Sequence, residues 1–263
     1  MTSLDVENDV RSKALSEWLA SIEARFSVQI QSFRQDAFED ALTRYAASIG
    51  ESLESLAERA RQGILEQDHW SMVLHLATNH ETKFFRSPAA IQQILNIFRG
   101  TKKPKLLSVG CSTGEEPYSI ATALLSAGHG CFEIHGTDIS AVCIKTAKLG
   151  IYKPHPEITS LAAAAMPSQK MRFHAWVRAM VTFEHHNILH ERPVQMHRPN
   201  VIITQNMLIY YREQTRYEIL DRLASMLDIG GYLITAPAET LNWCSPAMTR
   251  VQNSQLNVFV RSS

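Results

Sequence analysis

The spacing of apolar positions changes character near residue 105. Before it, apolar residues recur at helical intervals: Val10, Ala14, Leu15, Trp18, Leu19 and Ile22, then Phe38, Leu42, Tyr45 and Ile49, closed by Gly50. Ser52 is placed to cap a third helix over 53–65, with Leu53, Leu56, Ala57, Ala60 and Ile64 on one face. Residues 68–77 give a fourth helix, and Ser87-Pro88 opens a fifth over 89–98. From residue 105, the short apolar run 105–109 reads as a buried strand, and 132–137, 181–184, 200–204 and 232–236 read as further strands. Helical stretches at 119–125, 139–149 and 217–227 separate several of them. Residues 255–261 alternate and predict an antiparallel edge strand. Residues 151–180, with Pro154, Pro156 and Pro167, read as irregular apart from a short hairpin over 170–181. The expected class is α/β, a doubly wound sheet behind a small all-helical N-terminal domain. The expected boundaries are 1–77 for the helical domain, 78–104 for a linker and connecting helix, and 105–263 for the α/β domain, with a short inserted segment at 151–180.

The first strand leads into Gly110-Cys111-Ser112-Thr113-Gly114-Glu115-Glu116-Pro117-Tyr118. Strand, glycine loop and helix form a nucleotide-site entry, with Pro117 suited to the first helical position and the ligand at the carboxyl end of the strand. Glu115 and Glu116 occupy the place where a pyrophosphate would need backbone N–H donors and a positive helix end. Neither Gly-x-Gly-x-x-Gly nor Gly-Lys-Ser/Thr occurs, so dinucleotide and ATP readings lose ground. Acids here suit a ligand with hydroxyls and positive charge, and S-adenosylmethionine has both and no phosphate. A plain surface helix start explains the same acids through the helix dipole. Asp138 ends the second strand, where it either contacts ribose hydroxyls or caps the next helix; the preceding loop favours the ribose role.

Composition narrows the partners. Lys plus Arg and Asp plus Glu both number 26, so no global basic field recruits nucleic acid. Residues 1–13 contain no apolar core resembling a signal peptide, and no apolar run is long enough to span a bilayer. The four cysteines form no Cys-x-x-Cys, which suits reduced thiols and a cytoplasmic setting. His186 and His190 are four apart but follow a strand rather than sit in a helix, and no metal is expected. The helical domain reads as a lid or docking surface, its arginines interleaved with acids as on a solvated face. Phe84 and Phe85 either fill a core or hold Arg86 on a rigid base where its planar fork can engage a carboxylate. Residues 206–210 are either a packed strand end or part of the site.

Four segments occur in order: Thr82-Lys83-Phe84-Phe85-Arg86, Cys111-Ser112-Thr113-Gly114-Glu115-Glu116-Pro117-Tyr118-Ser119, Gly136-Thr137-Asp138-Ile139-Ser140 and Asn206-Met207-Leu208-Ile209-Tyr210. Through them the chain resembles the CheR chemotaxis receptor methyltransferases, including those attached to type IV pilus systems. The resemblance implies a Rossmann-like S-adenosylmethionine methyltransferase domain. It implies methyl transfer to glutamate side chains of a chemoreceptor, giving glutamate methyl ester and S-adenosylhomocysteine. Position by position it implies cofactor contacts at Thr82, Arg86, Glu116, Asp138, Asn187, Ile188 and Asn206. His80, Gly110, Glu115 and Gln205 complete the expected cofactor set, and Arg86 and Tyr210 are expected nearest the transferred methyl. The implied partner is the cytoplasmic helices of a chemoreceptor, met by a monomeric protein that is not itself a membrane protein and binds no nucleic acid. The chain departs from the family at His80, where asparagine is usual, and at Thr204-Gln205-Asn206, where Cys-Arg-Asn is usual. Residues 153–181 look shorter than the family's inserted β-subdomain, which some members use to tether to a receptor's C-terminal peptide. The second helix is less basic than in members that dock receptors through it.

A glutamate nucleophile has a pKa of about 4.3 and is already ionised near neutral pH, so a direct displacement needs no general base. Alignment and exclusion of water are then the protein's task. Two other readings keep the same residues: methylation of a nucleic acid or small molecule, against which the neutral charge and the lack of Asn-Pro-Pro-Tyr count, and a non-catalytic cofactor-binding scaffold.

Overall fold

A computed structural model describes residues 3–190, 192–240 and 242–263, with side chains from residue 13 onward, so the side chain of Val10 lies outside the described set. The chain divides into two compact units, one of residues 1–79 and 210–215, the other of residues 80–209 and 216–263.

The first unit is helical: α1 (Ser3–Phe26), α2 (Ser32–Ser48), α3 (Leu53–Arg61) and α4 (Gln67–Ala77). Trp18, Ile22, Phe38, Leu42, Leu56, Trp70, Val73 and Leu74 are buried, and Trp18 meets Trp70 edge to face at 5.8 Å. The Ser52 cap forms, its hydroxyl accepting from the Ser55 amide at 3.1 Å. Two positions of the expected stripes differ. Helix α3 stops at Arg61, with Gly63 in a left-handed conformation behind it, so Ile64 is exposed; Ile49 lies past the end of α2 and is exposed as well. The returning segment joins this unit through the Gln29 amide, which donates to the Tyr210 carbonyl at 2.7 Å, and an Arg212–Glu23 ion pair.

The second unit opens with α5 (Pro88–Phe98), capped by Ser87, and alternates strands and helices. These are β1 (Lys105–Val109), α6 (Glu115–Ser126), β2 (Glu133–Asp138), α7 (Ala141–Leu149), β3 (Ile151–Tyr152), β4 (Ala163–Met166), β5 (Lys170–Phe173), α8 (Ala175–Met180), β6 (Val181–His185), β7 (Val201–Thr204), α9 (Glu213–Met226), β8 (Tyr232–Thr235), β9 (Met248–Val251) and β10 (Asn257–Arg261). The first three residues of α9 belong to the first unit. Seven strands form one sheet in the order β6-β2-β1-β7-β8-β10-β9, parallel from β6 to β8 and antiparallel at β10 and β9. The strands β1 and β7 are buried along almost their whole length because helices cover both faces of a parallel sheet. The reversal of strand order at β1 and β7 opens a crevice at their carboxyl ends.

Three expectations about elements are corrected. The 151–180 segment is a small antiparallel sheet, β3-β5-β4, in which Ala163–Met166 pairs with Lys170–Phe173; the expected hairpin over 170–181 gives way to helix α8. Strand β10 is flanked on both sides, and the edge belongs to Met248–Val251. Helix α6 begins at Glu115, so Pro117 is its third residue, still within the first turn where no intrahelical N–H bond is lost.

Candidate cofactor site of a methyltransferase

The loop after β1 is pinned to the end of β2. The Gly110 and Cys111 amides both donate to the Thr137 carbonyl, at 2.8 and 3.0 Å. One residue on, the Asp138 carboxylate accepts from the Ser112 amide and the Ser140 amide, both at 2.8 Å. Asp138 therefore organises the loop with one lone pair of each oxygen. Ser140, not Asp138, caps α7, its hydroxyl accepting from the Cys143 amide at 3.2 Å. Gly114 ends the loop at φ 97°, and Tyr152 of the small sheet donates its hydroxyl to the Thr113 carbonyl at 2.7 Å. The glycines serve close packing: a Cβ at Gly110 would lie 2.7 Å from the Met207 side chain, and one at Gly114 would lie 2.9 Å from both Ala147 Cβ and the Tyr152 oxygen.

The two acids of α6 are held separately. Thr113 donates to Glu115 at 2.6 Å and Ser108 donates to Glu116 at 2.7 Å. Burial raises the pKa of Glu115, and it pushes Glu116 up to about 7; the nearby Glu239 carboxylate adds to the rise at Glu116, while the Ser108 hydroxyl and the Arg86 guanidinium oppose it. A group whose folded pKa exceeds its unfolded value stabilises the fold fully below the unfolded value. That contribution is lost as pH rises through the folded value. In the ligand-free protein, Glu116→Gln is thus expected to flatten the fall in melting temperature between about pH 4.5 and about pH 7. Parallel melting curves for wild type and variant across that window would remove the assignment.

The segment from His80 to Arg86 is tied to this loop within the same unit. The His80 carbonyl accepts from the Ser112 hydroxyl at 3.1 Å, and its ring Nδ1 lies 3.1 Å from Cys143 Sγ. Burial pushes the Cys143 thiol up to about 11, so it stays protonated near neutral pH. Ser119 accepts from the Phe85 amide at 2.9 Å and donates to the Glu115 carbonyl at 2.6 Å, which fixes the turn where Phe85 takes φ 53°. Phe84 is buried edge-on against Tyr152 at 5.1 Å, and Phe85 stacks on His155 at 5.8 Å. Arg86 follows these anchored rings, exposed, and donates to the Glu81 carbonyl at 3.0 Å. Thr82 is half-buried in the same segment.

The remaining expected residues lie beyond the carboxyl ends of β6 and β7. Asn187 and Ile188 are buried just past β6, where the His186 amide donates to the Asp138 carbonyl and Asn187 Oδ1 accepts from the Leu189 amide. Gln205 follows β7 and donates to the Ser87 hydroxyl at 3.4 Å. Asn206 is exposed at φ 60°, and a 3-10 turn, Leu208–Tyr210, comes next. Gly110, Glu115, Glu116, Asp138, Asn187, Ile188, Gln205 and Asn206 thus collect at one edge of the parallel strands, joined by His80 through Ser112. Tyr210 belongs to the first unit, where its hydroxyl accepts from the Asn79 amide at 3.0 Å.

Sequence reasoning did not reach Glu239. It is 1% exposed, just past β8, and accepts from the Leu208 amide at 2.9 Å and the Ala236 amide at 3.1 Å, with the Asn206 and Met207 amides directed to it as well. Nor did it reach the hydroxyl set of Ser108, Ser112 and Ser119 as a group, although the dense serine and threonine content of the loop region is visible in the chain.

The donor set selects the ligand. No lysine or arginine occurs from residue 106 to residue 144, and two carboxyl groups stand at the start of α6. A phosphate would meet repulsion, whereas a cationic ligand with ribose hydroxyls finds acceptors at Asp138 and the two glutamates, so the residues present fit S-adenosylmethionine. The chain is similar to the Chemotaxis protein methyltransferase Cher2 of Pseudomonas putida, 28% identical over an alignment of 225 residues, with 74% of this chain and 76% of that protein covered. It is also similar to the Probable biofilm formation methyltransferase WspC of Pseudomonas aeruginosa, 28% identical over 229 residues, and spans about half of that relative's length (53%). Among solved structures, N-methyltransferase NodS from Bradyrhizobium japonicum in complex with S-adenosyl-l-homocysteine matches at 15% identity and a TM-score of 0.46, over 75% of this chain and 100% of that one. The family model described as CheR methyltransferase, SAM binding domain, matches residues 80–258, which takes in the glycine loop, Asp138 and the Glu239 turn alike. With an acid-lined cofactor loop and that match over most of its length, the chain belongs to the CheR family of S-adenosylmethionine-dependent methyltransferases.

Proposed function

We propose that the protein esterifies glutamate side chains on the cytoplasmic helices of a chemoreceptor, leaving glutamyl methyl esters. The observation that carries the substrate class is the anchored Phe84-Phe85-Arg86 turn: two fixed rings present a guanidinium within the unit that holds the cofactor loop. A planar fork suits an anionic carboxylate and repels a protonated amine. The naming of relatives as chemotaxis protein methyltransferases supports the receptor as partner. None of the described helices is long and apolar enough to cross a membrane, consistent with a protein that meets the receptor from the aqueous side.

The bound cofactor supplies an electrophilic methyl group on a sulfonium. Around it, Asp138 and Glu116 are the proposed acceptors for hydroxyl and amino groups, with His80, Thr82, Gly110, Glu115, Asn187, Ile188, Gln205 and Asn206 lining the rest. Arg86, also in contact with the cofactor, orients the incoming carboxylate, and Tyr210 supports the same alignment with its hydroxyl. No residue of the set needs to remove a proton, since the nucleophile is ionised at neutral pH. The functional organisation proposed is a helical domain over 1–77, a connecting segment over 78–104 and the transferase domain over 105–263.

Incubation with receptor-bearing membranes and methyl-labelled S-adenosylmethionine tests this reading. The expected product is labelled receptor that releases volatile methanol after brief treatment with base. Label that stays on the receptor through base would mean an amine or thioether product and overturn the glutamate assignment.

A further inference from the structure

We infer that Glu239 is a positioning residue for the cofactor site: its carboxylate holds the turn at residues 206–208 against the glycine loop and sets the charge that Glu116 presents there. The inference rests on the reading that this turn contacts the cofactor.

Four backbone N–H groups converge on the Glu239 carboxylate, three from consecutive residues of the turn after β7 and one from Ala236 at the end of β8. Four donors and no acceptor form a set that only the anion satisfies completely, because a protonated carboxyl would bring a hydrogen with no partner there. Burial raises the Glu239 pKa and the four amides oppose the rise. The turn needs such a hold. Asn206 sits at φ 60°, a conformation that side chains adopt at a cost, and its own amide is among those neutralised by Glu239. The next residue, Met207, packs so closely on Gly110 that its side chain would overlap a Cβ there. Glu239 thus fixes Met207, Met207 lies on Gly110, and Gly110 starts the cofactor loop.

The charge acts on a second partner. The charged groups facing Glu116 are Glu239, which repels its anion, and Arg86, which attracts it, with the Ser108 hydroxyl bonded directly. Glu116 is the acid placed to meet a cationic ligand, so the Glu239 charge sets the pH at which that acid becomes available.

The experiment uses Glu239→Gln, which keeps the volume and removes the charge. Amide hydrogen exchange in the ligand-free protein is expected to accelerate at residues 206–208, and affinity for S-adenosylhomocysteine, measured by calorimetry, is expected to fall about tenfold, the loss of one charged hydrogen bond. Affinity rises with pH as Glu116 ionises, and in the variant this rise is expected at lower pH, because the repelling charge is gone. A purely structural role would lower affinity equally at every pH and leave the midpoint where it is. Unchanged exchange at 206–208, or an unmoved midpoint, overturns the inference. Ala236→Pro removes one of the four donors at a residue whose φ of −67° already suits proline. It carries the exchange and affinity tests if Glu239→Gln does not fold: faster exchange at 206–208 and weaker binding are expected, the Glu239 charge remains so the midpoint is not used, and unchanged exchange at 206–208 overturns the inference. Asn206→Ala with wild-type affinity would instead remove the direct Asn206 contact, and the Glu239 arms would still decide the inference.

Discussion

Replacement of Arg86 by alanine is expected to lower kcat/KM for receptor methylation about a hundredfold, the scale of a lost alignment, while S-adenosylhomocysteine affinity falls far less. The asymmetry follows from where the side chain stands. The backbone leading into it is fixed by Ser119 and by two anchored rings, and the guanidinium beyond is exposed and donates to the Glu81 carbonyl. Removing it leaves the glycine loop and Asp138 clamp untouched. What is lost is the fork proposed to orient an incoming carboxylate, and with it the weaker attraction of Arg86 for the Glu116 anion. Lysine at this position keeps the charge without the bidentate geometry and should recover only part of the rate. Steady-state kinetics with receptor, paired with calorimetry, reads both quantities. Wild-type kinetics in the alanine variant would take Arg86 out of the reaction, and an equal loss in both measurements would make it a cofactor residue alone.

Gly114→Val is expected to destabilise the second unit by about 2–6 kcal/mol, combining roughly 1–3 kcal/mol each for a forced left-handed residue and for overpacking. Two independent obstacles meet at this position. Its φ of 97° is unsuited to a branched side chain, and the first added carbon would press on Ala147 and on the Tyr152 oxygen. Neither neighbour yields easily: Ala147 is a buried helical residue, and Tyr152 is held to the Thr113 carbonyl and buried. Chemical denaturation gives the stability change and calorimetry the loss of cofactor binding. A variant with the wild-type midpoint would mean that the loop relaxes around the side chain. Gly128, also at positive φ but with open space around it, provides the comparison in which only backbone strain operates.

The central strands and the glycine loop were legible because β7 and β8 are apolar runs and β1 nearly so, each followed by a glycine or a turn. Their shortness and β-branched content mark them as strands rather than buried helix, and the crevice lies where those strands end. Elements stabilised by pairing alone were not legible. Ala163–Met166 is a strand made largely of alanine, a weak strand former, and exists because Lys170–Phe173 lies beside it. Met248–Val251 is mostly solvent-facing at the sheet edge, so its Met-Thr-Arg-Val carries no apolar signature. Glu239 was out of reach for a different reason. Three of its four partners are backbone amides about thirty positions away, and a backbone amide has no letter in the sequence. Pro117 was placed two positions early because proline fits anywhere in the first helical turn.

The order of the strands also bears on how the chain is made. Strand β1 pairs with β2 within about thirty residues, but its other neighbour is β7, where Leu106 faces Val201. A ribosome that has released the glycine loop has nearly a hundred residues still to deliver before that side of β1 is covered. Over that interval a largely apolar strand presents open hydrogen-bonding groups along one side, the condition that favours wrong pairing between nascent chains. The glycine loop is therefore among the first parts of the second unit to be synthesised and among the last to gain all its neighbours. Cofactor binding competence should appear late in translation, only after the chain has passed β8 and Glu239.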